Sequence, residues 1–384
     1  MSGRGNQLRS PCDSVVMVRR SSTRRVVLLA LGLSLVGLAV ATPASADPAR
    51  PTDYRSTVLR VHPKLPQGVE VSVVGGDSFL ELRVARGHSA VVPDYEQGAG
   101  TTPEPYLRFL ADGTVERNER SIAAAINRSR YGTDPTAADP KGTPKWTVVA
   151  RDGRYLWHDH RIHWMLPNRP KAVSADGRVD MGGPNGAWTV DLTVDDEPVV
   201  VTGELVLLAS PSPVPWLGML VLAAGCLIGL ALFRVRAGRP APHRALAGAL
   251  AISSLLAVGV GTAQWFDIPK AAGGTILTAA IPAVALVASV VAFVARAART
   301  KLVALAAAVA ALGGWAVLRR TVLTRAVLPT SLPFAVDRAV TALALGVALA
   351  GVTILVWRPP TDAAAATASP TDGTAGTAPA PRSA

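Results

Sequence analysis

Cysteine is nearly missing from this chain: of two, Cys12 falls near the N-terminus and Cys226 inside an apolar run, so residues 47–210 have none. That stretch can form no disulfide and supply no thiolate, which excludes a disulfide framework and any Cys-ligated metal or electron-transfer centre there. Charged residues are scarce, 17% of the chain, and aromatics make up 5%. Acidic residues all but vanish after Ser210, where residues 211–384 hold 14 Lys and Arg against 4 Asp and Glu. No Asp, Glu, Lys, Arg or His stands near the middle of any long apolar run, and Met219 is the one methionine found there. Ion and proton pathways need polar relays in hydrocarbon, so these runs read as an anchor or assembly platform, not as a conduit.

A net charge of +12 over 384 residues, with a pI near 10.5, would ordinarily suggest nucleic acid. The distribution excludes that partner. Residues 1–46 hold six Arg against Asp13, whereas residues 47–210 hold 19 Lys and Arg against 22 Asp and Glu. The basic residues therefore flank apolar segments, and the one soluble-looking stretch is slightly acidic. With 49% hydrophobic residues and a mean hydropathy of +0.30, a single soluble globule is excluded too.

Residues 1–46 read as a leader and signal peptide. Arg19, Arg20, Arg24 and Arg25 form a basic region, Val26 to Ala41 an apolar one, and Ala44-Ser45-Ala46 a small-x-small cleavage pattern before Asp47-Pro48. Met17, just before the arginines, is the expected start. Thr23-Arg24-Arg25-Val26-Val27-Leu28 also resembles a twin-arginine signal, with an ordinary secretory signal as the simpler reading. Apolar runs follow at about 214–233, 245–265, 273–295, 302–318 and 336–357, each near the ~20 residues that cross hydrocarbon. This predicts a membrane domain over 211–357, with residues 47–210 outside and a disordered cytoplasmic tail over 358–384 rich in Pro, Ala and Thr. Arg234, Arg236, Arg239, Arg244, Arg296, Arg299, Lys301 and Arg358 then fall inside, against Lys270, Arg319, Arg320, Arg325 and Arg338 outside. That is a positive-inside bias of eight to five, correct in sign and modest in size. Pro329 and Pro333 break any helix in the connection over 319–338, which is expected along the outer interface. Gly225 and Gly229 make a GxxxG spacing suited to close helix approach.

Residues 47–210 predict an all-β, sandwich-like domain. Val69 to Val84 alternates around Gly75-Gly76-Asp77, Tyr106 to Val115 around Asp112-Gly113, and Trp188 to Leu208 around Asp195-Asp196-Glu197-Pro198. Arg120 to Arg130 is the one helical hint, and Ser210 to Pro215 is a stiff stalk holding the domain near the bilayer.

Half of the six histidines lie in Trp157-His158-Asp159-His160-Arg161-Ile162-His163-Trp164-Met165. On a strand, His158 and His160 would share one face and could grip one ion; His163 joins them if the strand bulges or ends near Arg161-Ile162. Met165 shares the parity of His163 and could add a thioether. Asp159 and Arg161 could fix the imidazole tautomers, and the two tryptophans would exclude water. Three readings stay open: a metal centre, a structural polar network, and a pH-responsive cluster. If a metal binds, three imidazoles with an optional thioether suit copper in either oxidation state, or zinc with an open position. His62 and His88 could complete a site, and Met181 is a weak further candidate.

Glu104-Pro105-Tyr106-Leu107-Arg108, Arg130-Tyr131-Gly132 and the Trp157–Met165 block resemble a family of uncharacterised actinobacterial membrane proteins with an exported β-domain followed by several spans. The resemblance implies a connection to extracytoplasmic copper handling, with other copper proteins outside the membrane as partners. The His-Asp-His core is also similar to a ligand segment of multicopper oxidases, but their other His-x-His pairs and their Cys are absent, so oxidase activity is not carried over. The expected function is membrane-anchored copper binding or transfer through His158, His160, His163 and Met165. Its alternatives are an interaction or assembly module with structural histidines, and a three-His zinc hydrolase with Asp159 as its only nearby carboxylate. No catalytic residues are assigned.

Overall fold

A computed structural model describes residues 48–95, 104–128, 130–132, 134–166 and 168–357. The expected signal peptide and C-terminal tail lie outside the described residues. Eleven antiparallel strands form two facing sheets: β1 Tyr54–His62, β2 Val69–Val74, β3 Phe79–Val84, β4 Ala90–Val92, β5 Leu107–Phe109, β6 Val115–Asn118, β7 Trp146–Ala150, β8 Arg154–Trp157, β9 Arg178–Val179, β10 Trp188–Val194 and β11 Glu197–Leu207. The larger sheet runs β1-β11-β10-β4-β5-β6-β7 with β9 also on β11, and the smaller runs β2-β3-β8. Alternation explains the assignment. In β10, Trp188, Val190, Leu192 and Val194 are buried while the residues between them are more exposed, so one face meets the core and the other water. Leu80, Leu82 and Val84 of the smaller sheet pack with Val201 and Leu205 of the larger, giving the sandwich-like core.

The hairpins follow their turn residues. Asp195 and Asp196 both have positive φ, 49° and 66°, and join β10 to β11 as a two-residue turn whose twist matches the strands. Pro198 lies on β11 opposite Thr193, so the turn is shorter than the four residues expected. Gly203 lies opposite Trp188, and a Cβ there would stand 2.0 Å from the indole, so only glycine admits that ring. The expected helix is the short α1, Ile122–Ile126; Ser121 caps it by accepting from Ala124 N, and Asp94 accepts from Ile122 N and Ala123 N.

Five helices long and apolar enough to cross a membrane follow: α2 Val214–Arg236, α3 His243–Asp267, α4 Leu277–Val294, α5 Ala298–Leu318 and α6 Phe334–Val356. They share a core of small and aliphatic residues including Leu246, Leu250, Leu305, Leu312 and Val347. At Gly261 a Cβ would lie 2.0 Å from the Thr278 carbonyl oxygen, so this glycine sets the approach of α3 to α4. Gly225 and Gly229 do not act in this way, since a Cβ at either meets nothing within 4 Å.

The β-domain is docked directly on one end of this bundle. Asp53 Oδ1 accepts from Ala326 N at 2.9 Å, and its Oδ2 accepts from Arg325 Nη1 at 2.6 Å and Ser210 Oγ at 3.1 Å. Thr52 and Val327 exchange backbone hydrogen bonds of 3.0 and 2.8 Å. An apolar seam completes the contact, with Ala49, Phe79 and Leu156 packed against Ile268 and Ala272 of the α3–α4 connection. The connection over 319–333, expected at an interface, is thus a docking platform. The β-domain, the α3–α4 connection and the α5–α6 connection share one end of the bundle.

Replacing Asp53 by Ala strands Arg325 and the Ala326 amide, with an expected loss on the order of 2 kcal/mol. Faster proteolysis within residues 319–333 of the intact chain would register it, and an unchanged cleavage rate would contradict the docking role.

Candidate functional site

β8 pairs with β3 as far as Leu80↔Trp157 and stops. His158 to Met165 are therefore not strand, which corrects the expectation that parity places His158 and His160 on one face. The cause is Asp159. Its Oδ1 accepts from Arg161 N at 3.0 Å and Arg161 Nε at 2.8 Å, its Oδ2 accepts from Arg161 Nη2 at 2.7 Å and Trp157 Nε1 at 2.9 Å, and its carbonyl accepts from Ile162 N at 3.1 Å. A carboxylate that draws in the amide two residues on bends the chain into a turn. The expected role of Asp159 and Arg161 in orienting imidazoles is corrected accordingly, since they bind each other and shape the turn. Burial works to raise the Asp159 carboxyl, but the Arg161 guanidinium and these hydrogen bonds hold it below the usual carboxylate range. Tyr95 supports the turn by accepting from His160 N at 3.1 Å and lying 5.1 Å beneath the Arg161 guanidinium.

The turn gathers the three rings. The centroid of His163 lies 5.2 Å from that of His160 and 6.3 Å from that of His158. His163 is thus the central member of the cluster, because the chain turns where a strand would have carried it to the opposite face. His158 is buried, stacked on Phe79 at 4.2 Å, and its Nδ1 lies 2.7 Å from the Ser78 carbonyl. His163 is fully buried, and its Nε2 lies 3.1 Å from the Arg130 carbonyl. A carbonyl only accepts, so these contacts put the proton on Nδ1 of His158 and on Nε2 of His163. The lone pair of His163 is then on Nδ1, a buried atom with no hydrogen-bond partner among the described residues. Burial first, then the Arg130 guanidinium and the other two imidazoles, push His163 well below the usual imidazole value, so the ring is neutral.

Arg130 is itself held by the carboxylate of Asp77, with Nη1 donating to Oδ1 at 3.0 Å and Nη2 to Oδ2. Asp77 is fully buried in the β2–β3 turn. The sequence marked Asp77 only as a turn residue and Arg130 only as the end of the helical hint and part of the resemblance. A charged pair 53 positions apart leaves no spacing signal. The Ser78 carbonyl and the Phe79 ring were equally silent.

The remaining expected residues lie apart from this arrangement. Met165 is half-buried two residues past His163. Met181 packs against the β-domain core, His88 bonds Asp195 at 2.6 Å, and His62 is exposed at the end of β1. Trp157 is core, whereas half-buried Trp164 donates to the Asn168 carbonyl at 2.6 Å. As the side chains stand, no three His, Cys, Asp or Glu residues among those described are close enough to hold one ion.

Because the buried Asp159 carboxylate accepts four hydrogen bonds from Arg161 and Trp157, Asp159→Ala should cost on the order of 3 kcal/mol by leaving Arg161 uncompensated. Thermal unfolding checks this, and a fall in midpoint no larger than that of a surface Asp152→Ala variant would contradict it. No family model matches the chain, and no curated protein or solved structure is similar to it.

Proposed function

We propose that this membrane-anchored β-domain lies on the extracytoplasmic side and binds a metal ion, copper by preference, through His158, His160 and His163. The observation that carries the reading is the unpartnered, buried Nδ1 of His163. Metal-ligating imidazoles characteristically donate their second ring nitrogen to a carbonyl, and His158 and His163 both do so. Two imidazoles on one tetrahedral ion have centroids about 5 Å apart. The His160–His163 separation of 5.2 Å matches that value, and the His158–His163 separation of 6.3 Å is wider. Binding would therefore draw the rings closer, with half-exposed His160 as the member that moves most easily. Copper is favoured over zinc by the family resemblance and by Met165, which could join as a thioether for Cu(I). The zinc hydrolase reading is weakened because the Asp159 carboxylate is taken up by Arg161 and Trp157.

Sidedness is supported by the basic residues. Arg319 pairs with Asp337, Arg325 with Asp53, and Arg338 donates to the carbonyls of Val322, Arg325 and Ala326. Three of the five basic residues at the docking end thus have structural tasks. Discounting them leaves a stronger positive-inside bias, which supports a cytoplasmic position for the opposite end.

A second reading, an assembly module with structural histidines, is favoured by the burial of His158 and His163 and the absence of a converged triad among the described residues. Titration of Cu(I) and Cu(II) into the detergent-solubilised full chain separates the two. The metal reading expects His160→Ala to weaken copper binding at least about 100-fold with little change in thermal midpoint. The structural reading expects His158→Ala and His163→Ala to lower that midpoint while copper affinity stays negligible throughout. Equal copper binding by the native chain and the triple Ala variant would overturn the metal assignment.

A further inference from the structure

The end of the bundle away from the β-domain is formed by the α2–α3 connection over 237–242, the α4–α5 connection over 295–297 and the helix turns beside them. Arg234, Arg236, Arg239 and Arg244 belong to the first connection and its flanks, Arg296, Arg299 and Lys301 to the second. All but Arg234 and Lys301 are exposed. Arg234 donates to the Pro240 carbonyl at 3.1 Å, which fixes the connection without cancelling its charge. After Ser210 the described residues include two carboxylates, Asp267 and Asp337. Both lie at the docking end, where Asp267 accepts from Ser331 N and Asp337 from Arg319. The terminal segments do not supply the missing anions, because residues 358–384 hold two Arg and two Asp, and residues 1–47 six Arg and two Asp.

The helix ends deepen the imbalance. α3 and α5 both begin at this end with no acidic residue in the first turn, and carry Arg244, Arg299 and Lys301 where a helix favours negative charge. Lys301 lies within electrostatic range of His243, so the two connections adjoin. During insertion such residues orient the chain. In the folded protein they stand as a cationic surface that no carboxylate among the described residues of this end offsets.

The neighbouring surface says which anion fits. Phe233 at the end of α2 and Val294 at the end of α4 are each 66% exposed, next to Arg236 and Arg296. On both helices apolar surface thus passes into guanidinium within three residues. A ligand that joins acyl chains to a phosphate matches both parts, whereas a soluble acidic peptide would meet only the second. Guanidinium forks fit phosphoryl oxygens, and clusters of about four to eight Lys and Arg at span ends attract anionic headgroups.

We propose that this end of the bundle selectively binds anionic phospholipid headgroups, taking their phosphates between the α2–α3 and α4–α5 connections. The histidines sit at the opposite end, so chelator is present in every sample. The full chain is placed in nanodiscs of phosphatidylglycerol and phosphatidylcholine in equal parts and extracted with detergent. Retained lipid is then measured by native mass spectrometry. Phosphatidylglycerol should be retained in preference, and that preference should fall about tenfold in Arg239→Gln/Arg296→Gln. Both residues are exposed and lie between helices; should the double variant not fold, Arg296→Gln alone replaces it. Lys270→Gln/Arg320→Gln removes the same charge from exposed positions at the docking end and should keep the preference. Equal retention of both lipids by the native chain overturns the proposal, as does an unchanged preference in the connection variant or an equal loss in the control. Polyglutamate that binds the native chain and not the connection variant, with no lipid preference in either, overturns it in favour of an acidic protein partner.

Discussion

Asp53 is the point on which the two halves of this protein are joined. Its carboxylate reaches a bundle guanidinium, a bundle amide and the stalk hydroxyl, while its own carbonyl accepts from Leu208 N. One residue therefore ties the start of the first strand to the chain leaving the last strand and to a connection 272 positions away. Without such a tie, a six-residue stalk would leave the domain free to rotate over the bilayer. With it, the domain keeps one face on the bundle, and the groups along that face become a site. Phe79 shows the consequence: it belongs to the seam with Ile268 and Ala272, and its ring stacks on His158. The histidine cluster is part of the junction and does not sit on a remote surface.

Features of short range were legible in the sequence. Gly75-Gly76, Asp112-Gly113 and Asp195-Asp196 announce hairpins because positive φ is a local demand. The five apolar runs announce helices because hydrocarbon imposes a length. The candidate site was legible as a cluster but not as a shape. Strand parity was the wrong frame for His158 to His163, since Asp159 ends the strand by drawing in Arg161. That signal was present as an Asp two residues before an Arg, but nothing in the spacing tells whether such a pair faces a ligand or closes on itself. The Asp77–Arg130 pair and the Asp53 junction were illegible for a different reason, because only the assembled fold brings such distant positions together.

The charge of the chain takes a different meaning once its arginines are located. Arg130, Arg161, Arg319, Arg325 and Arg338 each have an identified internal partner. They are structural cations whose removal would strand a buried carboxylate or leave carbonyls unsatisfied. The positive charge at the junction is thus built into contacts of a domain that is net acidic. Net charge summed over the chain could not have shown this, because it counts paired and unpaired groups alike.

Arg130 makes Asp77 and the histidines a single electrostatic problem. Its guanidinium is held by Asp77, its carbonyl accepts from His163, and its positive charge helps hold that imidazole neutral. A neutral His163 offers its Nδ1 lone pair, which a cation requires, yet the same guanidinium repels the cation that would use it. Asp77 offsets much of that repulsion from behind. The buried Asp77 carboxylate is therefore the group that would make a cation beside that guanidinium tolerable.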